Sequence, residues 1–149
     1  MSEVLFYQLS KFPLERALPT LLEKCLEREW VVTIQFGTEA RCDAIDSYLW
    51  TYSDDAFLPH GTKKEGHPEF QPIYLTTEND NPNEAIVRFL VDRAPLPDPA
   101  QYKRVVYMFD GNDQDALQEA RQRWLEVKNG DHELTYWAQT DNGGWDRKA

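Results

Sequence analysis

Trp30-Val31-Val32-Thr33-Ile34-Gln35-Phe36-Gly37 is a β-branched and aromatic run closed by a glycine. What precedes it decides the fold. Leu14, Leu18, Leu21, Leu22, Cys25 and Leu26 recur at three-and-four spacing after Pro13, a residue suited to a first helical turn. Pro19 falls inside that helix and is expected to kink it near its start. Before the helix stands another strand-like run, Val4-Leu-Phe-Tyr-Gln-Leu9. After Gly37, the residues Ala40, Asp43, Ala44, Ser47, Tyr48 and Leu49 form a second helix with Trp50 near its end. Two β-α units in succession predict a parallel sheet, because parallel neighbours need a crossover that is usually helical.

Farther along, residues 53–72 carry prolines, glycines and charges without period and read as a long loop, the kind that is usually functional. Pro72-Ile-Tyr-Leu-Thr-Thr77 and Ala85-Ile-Val-Arg-Phe-Leu-Val91 read as strands around the turn-rich Glu78-Asn-Asp-Asn-Pro-Asn83, with Glu84 and Ala85 favouring a short helix. Pro95, Pro97 and Pro99 make an extended connector to the strand Arg104–Phe109. Asn112 and Asp115 resemble a capping box opening the longest exposed helix, Asp113 to about Asn129, with Gly130 in the C′ position. Glu133–Gln139 is the final strand, and Asn142-Gly-Gly-Trp145 lies beyond it. The expectation is one α/β domain over residues 1–149, Rossmann-like, its mainly parallel central sheet flanked by helices.

Composition narrows the function. With 149 residues and 41% apolar content the chain can build a core without disulfides or a structural metal. No stretch approaches the roughly 20 apolar residues of a membrane span, and Met1-Ser-Glu-Val lacks the features of a signal peptide, so a cytoplasmic location is expected. The net charge is −10, with 26 acidic residues against 16 basic ones. No basic run exceeds two residues, as in Lys63-Lys64 or Arg147-Lys148. Tight direct binding to nucleic acid, which neutralises phosphates with Lys and Arg, is disfavoured, and so are acidic membrane surfaces.

Chemistry is hard to find. The turns after the first two strands, Ser10-Lys11-Phe12-Pro13 and Phe36-Gly37-Thr38-Glu39, hold neither GxGxxG nor GxxxxGK[ST], so no phosphate cradle or nucleotide cofactor is implied. Cys25 and Cys42 lack CxxC spacing, and adding His60 and His67 gives four ligand types from three separate elements without paired spacing. No metal site is expected. The carboxylate pairs Asp54-Asp55 and Asp110 with Asp113 suit acid–base work in principle, but acids this abundant pair by chance and serve as helix caps.

Two segments instead suggest a protein built to be gripped. In the long helix, Leu117, Arg121, Trp124 or Leu125, and Lys128 fall on one stripe that mixes apolar and cationic groups, suited to an apolar side chain beside a carboxylate. The bland alternative makes Leu117 and Trp124 core, with Arg121 and Lys128 snorkelling at its edge. The other segment runs from Trp50 through Phe57, Pro59 and His60 to Gly61, where bulky apolar groups sit in a loop. Its bland alternative is that Trp50 and Phe57 seal the domain's own core.

The same residues carry a family resemblance. The Phe6-Tyr7-x-Leu9 opening, the helix ending in Leu49-Trp50, the Phe57-Leu-Pro59-His60 loop, the Ala120-Arg121-x-Arg123-Trp124 helix, Gly130 and the Leu134-containing strand resemble the chi subunit of bacterial DNA polymerase III holoenzyme. The resemblance spans nearly the whole chain. It implies a Rossmann-like fold without nucleotide loops and a non-catalytic adaptor. Such an adaptor links the clamp loader, through the psi subunit, to the single-stranded-DNA-binding protein by gripping that protein's acidic C-terminal tail, which ends in Phe. DNA is then a partner only indirectly. The resemblance puts the tail-binding Arg at Arg121 and its aromatic neighbour at Trp124. Where the family can carry lysines this chain has Leu117 and Leu125, with Lys128 the available replacement one turn on. The Trp50, Phe57, Pro59 and His60 group is implied on the psi side or the tail side. Two competing readings are a small-molecule enzyme with Asp110 and neighbouring carboxylates at the strand ends, and an interaction domain for some other partner.

Overall fold

The computed structural model describes residues 2–52 and 58–149. Strand β1 (Glu3–Leu9) leads through α1 (Leu14–Glu27) to β2 (Val32–Gln35), and α2 (Glu39–Thr51) follows. Then come β3 (Ile73–Thr76), β4 (Val87–Leu90), β5 (Arg104–Asp110), α3 (Gln114–Lys128), β6 (Glu133–Gln139) and β7 (Trp145–Arg147). They form a seven-stranded sheet ordered β3-β2-β4-β5-β1-β6-β7, in which β7 alone runs antiparallel to its neighbour. This is the predicted α/β architecture.

Side chains alternate along each strand, so the sheet has two cores. Val106 and Met108 of β5 pack with Leu18 and Leu22 of α1 and with Ile45 and Leu49 of α2. Val105, Tyr107 and Phe109 face the other way, onto Ala120 and Val127 of α3. Helices α1 and α2 thus share one face and α3 lies on the other.

The crossover from β3 to β4 carries no helix, and this leaves part of the α3-side face to polar groups. Thr33, Gln35, Tyr74, Thr76 and Arg88 are all buried there. Arg88, fully buried, donates to Gln35 Oε1 at 2.7 and 3.2 Å, to the carbonyls of Glu78 and Asp80 at 2.8 and 2.7 Å, and to the Tyr102 hydroxyl at 3.2 Å. Tyr74 and Thr76 donate to the Asp80 carboxylate, and Thr33 donates to Asn83. Loop carbonyls and carboxylates therefore do the covering that an apolar helix face does elsewhere. A buried cation is tolerable only with such a complete set of acceptors.

Several local expectations need correction. Helix α1 continues through Pro19, which is buried within it. The cap of α3 is Asp113, whose carboxylate accepts from the backbone N–H groups of Asp115 and Ala116. Asn112, expected as the cap, instead donates from Nδ2 to the Ser10 carbonyl. A capping box does occur elsewhere. Thr62 accepts from the Lys64 N–H at 3.1 Å, while Glu65 accepts from the Thr62 N–H at 2.7 Å. It opens one of two short 3₁₀ turns, Lys63–Glu65 and Pro68–Phe70, inside the segment read as loop, and Gly61 there pairs with Tyr74. No helix starts at Glu84, which has a left-handed φ of 51°. Trp145 opens a short edge strand missed in the sequence.

Candidate functional site

Two separate surfaces carry the residues singled out in the sequence. On α3, Ala116, Ala120 and Val127 are buried against the sheet, Leu117 and Trp124 are half-buried, and Arg121 and Lys128 are exposed. Trp124 meets Phe6 of β1 at 5.5 Å and 77°, and Tyr136 of β6 at 5.6 Å and 76°. Both are edge-to-face contacts favoured by the ring quadrupoles. The indole therefore lies over the seam between α3 and β6 with part of its surface open to solvent. The Tyr136 hydroxyl donates to Gln8 Oε1, which holds that ring in place. Burial raises the Tyr136 pKa, and the nearby positive charge of Arg121 opposes the shift. Among the described residues neither Arg121 nor Lys128 takes part in an ion pair, whereas Arg123 is held by Glu126 at 3.3 Å. Leu125 is 60% exposed beside them. The seam thus presents a cation, a half-open indole and an exposed leucine on an otherwise acidic protein. Leu117 and Trp124 do serve the core, and Trp124 also keeps surface to offer.

Gln8, Leu134 and Tyr136 complete this seam; Leu134 entered the sequence reading only as part of the resemblance, and Gln8 and Tyr136 were not singled out. The signal for Tyr136 was the aromatic character of the last strand, whose pairing with β1 brings it beside Gln8 and next to α3.

The second surface lies across the sheet, at the end of α2. Trp50 is 48% exposed, and its ring centroid is 4.5 Å from that of His60. His60 is buried, with Nδ1 2.6 Å from the Leu58 carbonyl and Nε2 3.2 Å from both the backbone oxygen and Oδ1 of Asp46. Both nitrogens thus face oxygens, which fixes the ring and gives Trp50 a rigid platform. The Asp46 carboxyl is pushed above its usual range, chiefly by burial and then by Glu65, against the pull of His60. Pro59 is half-buried; Phe57 and the Asp54-Asp55 pair lie outside the described residues. The structure does not bring Trp50, Pro59 and His60 together with Arg121 and Trp124, because α2 and α3 occupy opposite faces.

The strand-end crevice, where an open α/β sheet takes its ligand, lies between β1 and β5, whose following helices go to opposite faces. It is a cavity of about 500 Å³ bordered by Ser10, Lys11, Asp92, Asp110 and Asp113. Its carboxylates have local structural work. Asp110 accepts from the Asn112 N–H at 2.9 Å, Asp92 accepts from the Thr38 hydroxyl at 2.9 Å, and Asp113 caps α3. A Cβ on Gly37 would stand 2.0 Å from the Asp92 carbonyl oxygen, so this glycine admits neighbouring backbone, not a phosphate. Cys25 and Cys42 are buried, and burial together with Glu39 and Asp43 pushes the Cys42 thiol up to about 12. That suppresses the thiolate needed for nucleophilic or ligand chemistry.

The fold and these surfaces define a Rossmann-like α/β domain without the phosphate-cradling turn of the nucleotide-binding class. Residues 1–135 match the family model described as DNA polymerase III chi subunit, HolC, and the chain belongs to that family. It is 31% identical over 109 residues to a probable DNA polymerase III subunit chi of Rickettsia prowazekii (strain Madrid E). That match covers 73% of this chain and 66% of the relative, so the chain spans just under two thirds of the relative's length. The family is a replication accessory subunit of DNA polymerase III. Among the described residues no helix is long and apolar enough to cross a membrane.

Proposed function

We propose that this chain is a cytoplasmic adaptor of the replication machinery that grips the acidic, Phe-ending C-terminal tail of the single-stranded-DNA-binding protein through the α3–β6 seam. The observation that carries the reading is Arg121, exposed and without an ion-pair partner among the described residues, beside the half-open ring of Trp124. A tail of this kind needs an apolar contact for its terminal ring and a cation for its carboxylates. An Arg is suited to the second because its planar fork meets a carboxylate with two parallel bonds. Leu117 and Leu125 widen the apolar contact, and Lys128 supplies a second positive charge one turn on. The psi subunit or another part of the clamp loader would take the opposite surface around Trp50, Pro59 and His60, together with Phe57. Two surfaces on opposite faces of one sheet suit a protein that bridges two partners. DNA enters only through the first of them.

The test is calorimetric titration with a synthetic acidic peptide ending in Phe, and with the same peptide lacking that residue. Binding of the first alone, weakened by Arg121→Ala at a cost of about 1–3 kcal/mol, is the expected result. Equal binding of both peptides, or undiminished binding by Arg121→Ala, rejects the reading.

A further inference from the structure

On the α1 face, at the N-terminal edge of the sheet, three cations converge on one indole. The guanidinium carbons of Arg28 and Arg104 lie 4.8 Å from the Trp30 ring centroid, and the Lys103 ammonium lies 5.2 Å from it. Only Arg104 has a carboxylate partner among the described residues, Glu3 at 2.6 Å. Like charges held this close repel one another. Arg28 caps the C-terminus of α1, with Lys24 in its last turn, and the helix dipole accounts for those two positions. It does not account for Lys103, just before β5, or for Arg104, which opens that strand.

Beside this cluster opens a cavity of about 490 Å³ whose cations are Lys24, Arg28 and Arg104 and which no carboxylate among the described residues borders. Its aromatic walls are Tyr7, Trp30, Trp137 and Trp145, with Tyr7 and Trp145 only 4.7 Å apart. The adjoining hollow of about 380 Å³ adds Lys103, and with it Glu3 and Glu133. The chemistry is that of an aromatic box rimmed with positive charge.

We propose that this box binds a short acidic peptide segment of a partner protein, with an aromatic side chain between the indoles and flanking carboxylates on Arg28 and Lys103. Charge complementarity selects the occupant, since the charged residues that line the aromatic cavity, among the described residues, are Lys24, Arg28 and Arg104. Its volume accepts a ring and a few backbone atoms but not a folded element. A single strand of nucleic acid is the other polyanion with rings. Such a strand needs a basic groove that tracks its backbone. Here Glu3 and Glu133 border the positive patch, and attraction decays over about 8 Å at physiological salt. The site lies across the sheet from Arg121 and Trp124 and stands independently of their proposed role.

The experiment titrates an Arg121→Ala background, which removes the α3–β6 site, with a synthetic peptide of four aspartates around one phenylalanine. Binding should persist there, fall at least tenfold when Arg28→Glu and Lys103→Glu are added, and fall similarly when the peptide's phenylalanine is replaced by alanine. Both substituted side chains are exposed, and an unchanged circular dichroism spectrum confirms that the fold is kept. No binding in the Arg121→Ala background, or binding unaffected by the two charge reversals, overturns the proposal. Displacement of the peptide by an oligothymidylate of equal charge, binding more tightly through the same residues, overturns it in favour of nucleic acid. Peptide binding by the wild type that is abolished by Arg121→Ala alone supports the α3–β6 site and rejects this one.

Discussion

Trp124 and Tyr136 meet edge to face, with ring centroids 5.6 Å apart and planes at 76°. This contact ties α3 to β6 while leaving Trp124 half-buried, so the residue serves the fold and the surface at once. Truncations on this helix therefore separate by what they remove. Arg121→Ala should lower affinity for the Phe-ending peptide and leave stability within about 0.5 kcal/mol, as expected for an exposed residue with no ion-pair partner among the described residues. Trp124→Ala should lower both, losing on the order of 2–3 kcal/mol of stability with the Phe6 and Tyr136 contacts. Thermal melts run beside the titrations check this. An unchanged melt for Trp124→Ala would mean that the ring adds nothing to packing.

Arg88 should be among the most costly residues to truncate. Arg88→Ala leaves Gln35 and the carbonyls of Glu78 and Asp80 without their donor in a buried site, at a cost of about 3–5 kcal/mol. Denaturant unfolding measures it, and a loss below 1 kcal/mol would show that water readily replaces the guanidinium.

Gly37→Ala drives a methyl group into the Asp92 carbonyl oxygen, 2.0 Å away, at a residue already held at a φ of 53°. The backbone must shift, and a cost of about 1–3 kcal/mol is expected. Gly66→Ala is the comparison. No atom lies within 4 Å of the added carbon there, so any loss reflects only its positive φ of 77°.

The capping box at Thr62 gives acid sensitivity of known sign. Burial raises the Glu65 pKa, but hydrogen bonds from the Thr62 hydroxyl and N–H, together with the Glu65 N–H and the nearby His60, outweigh it and leave the carboxyl below its usual 4.5. A lowered folded pKa means that the contribution is intact above the unfolded value and disappears as pH falls through the folded one. Glu65→Gln should therefore melt below the wild type at pH 7, with the gap closing below about pH 4.5. A gap independent of pH would remove the carboxylate from the explanation.

Bare single-stranded DNA should bind weakly at physiological salt, because the chain carries a net charge of −10 and its cations occur in small local groups. Fluorescence anisotropy with labelled oligothymidylate is the check. Sub-micromolar affinity with a steep salt slope would replace the indirect route to DNA with a direct one.

Sequence alone determined the order of strands and helices as far as β6, since hydrophobic period is a local property: Leu14 to Leu26 and Trp30 to Phe36 carry their own patterns, whereas the short β7 carries none. It also settled the lack of a glycine-rich phosphate turn, which adjacent residues must supply together. Tertiary structure decided whatever depends on groups far apart in the chain. Arg88 sits in a pattern that reads as an ordinary strand, yet it becomes core because the β3–β4 crossover lacks a helix and its carbonyls turn inward. Trp50 and Trp124 looked alike as exposed-aromatic candidates, and only the helix crossovers send them to opposite faces. Lys103-Arg104 is an unremarkable basic pair until β5 lies near the end of α1 and Trp30 receives cations from both. Parallel strands pair only across long connections, so every side-chain cluster built on such a sheet joins residues that no local pattern relates.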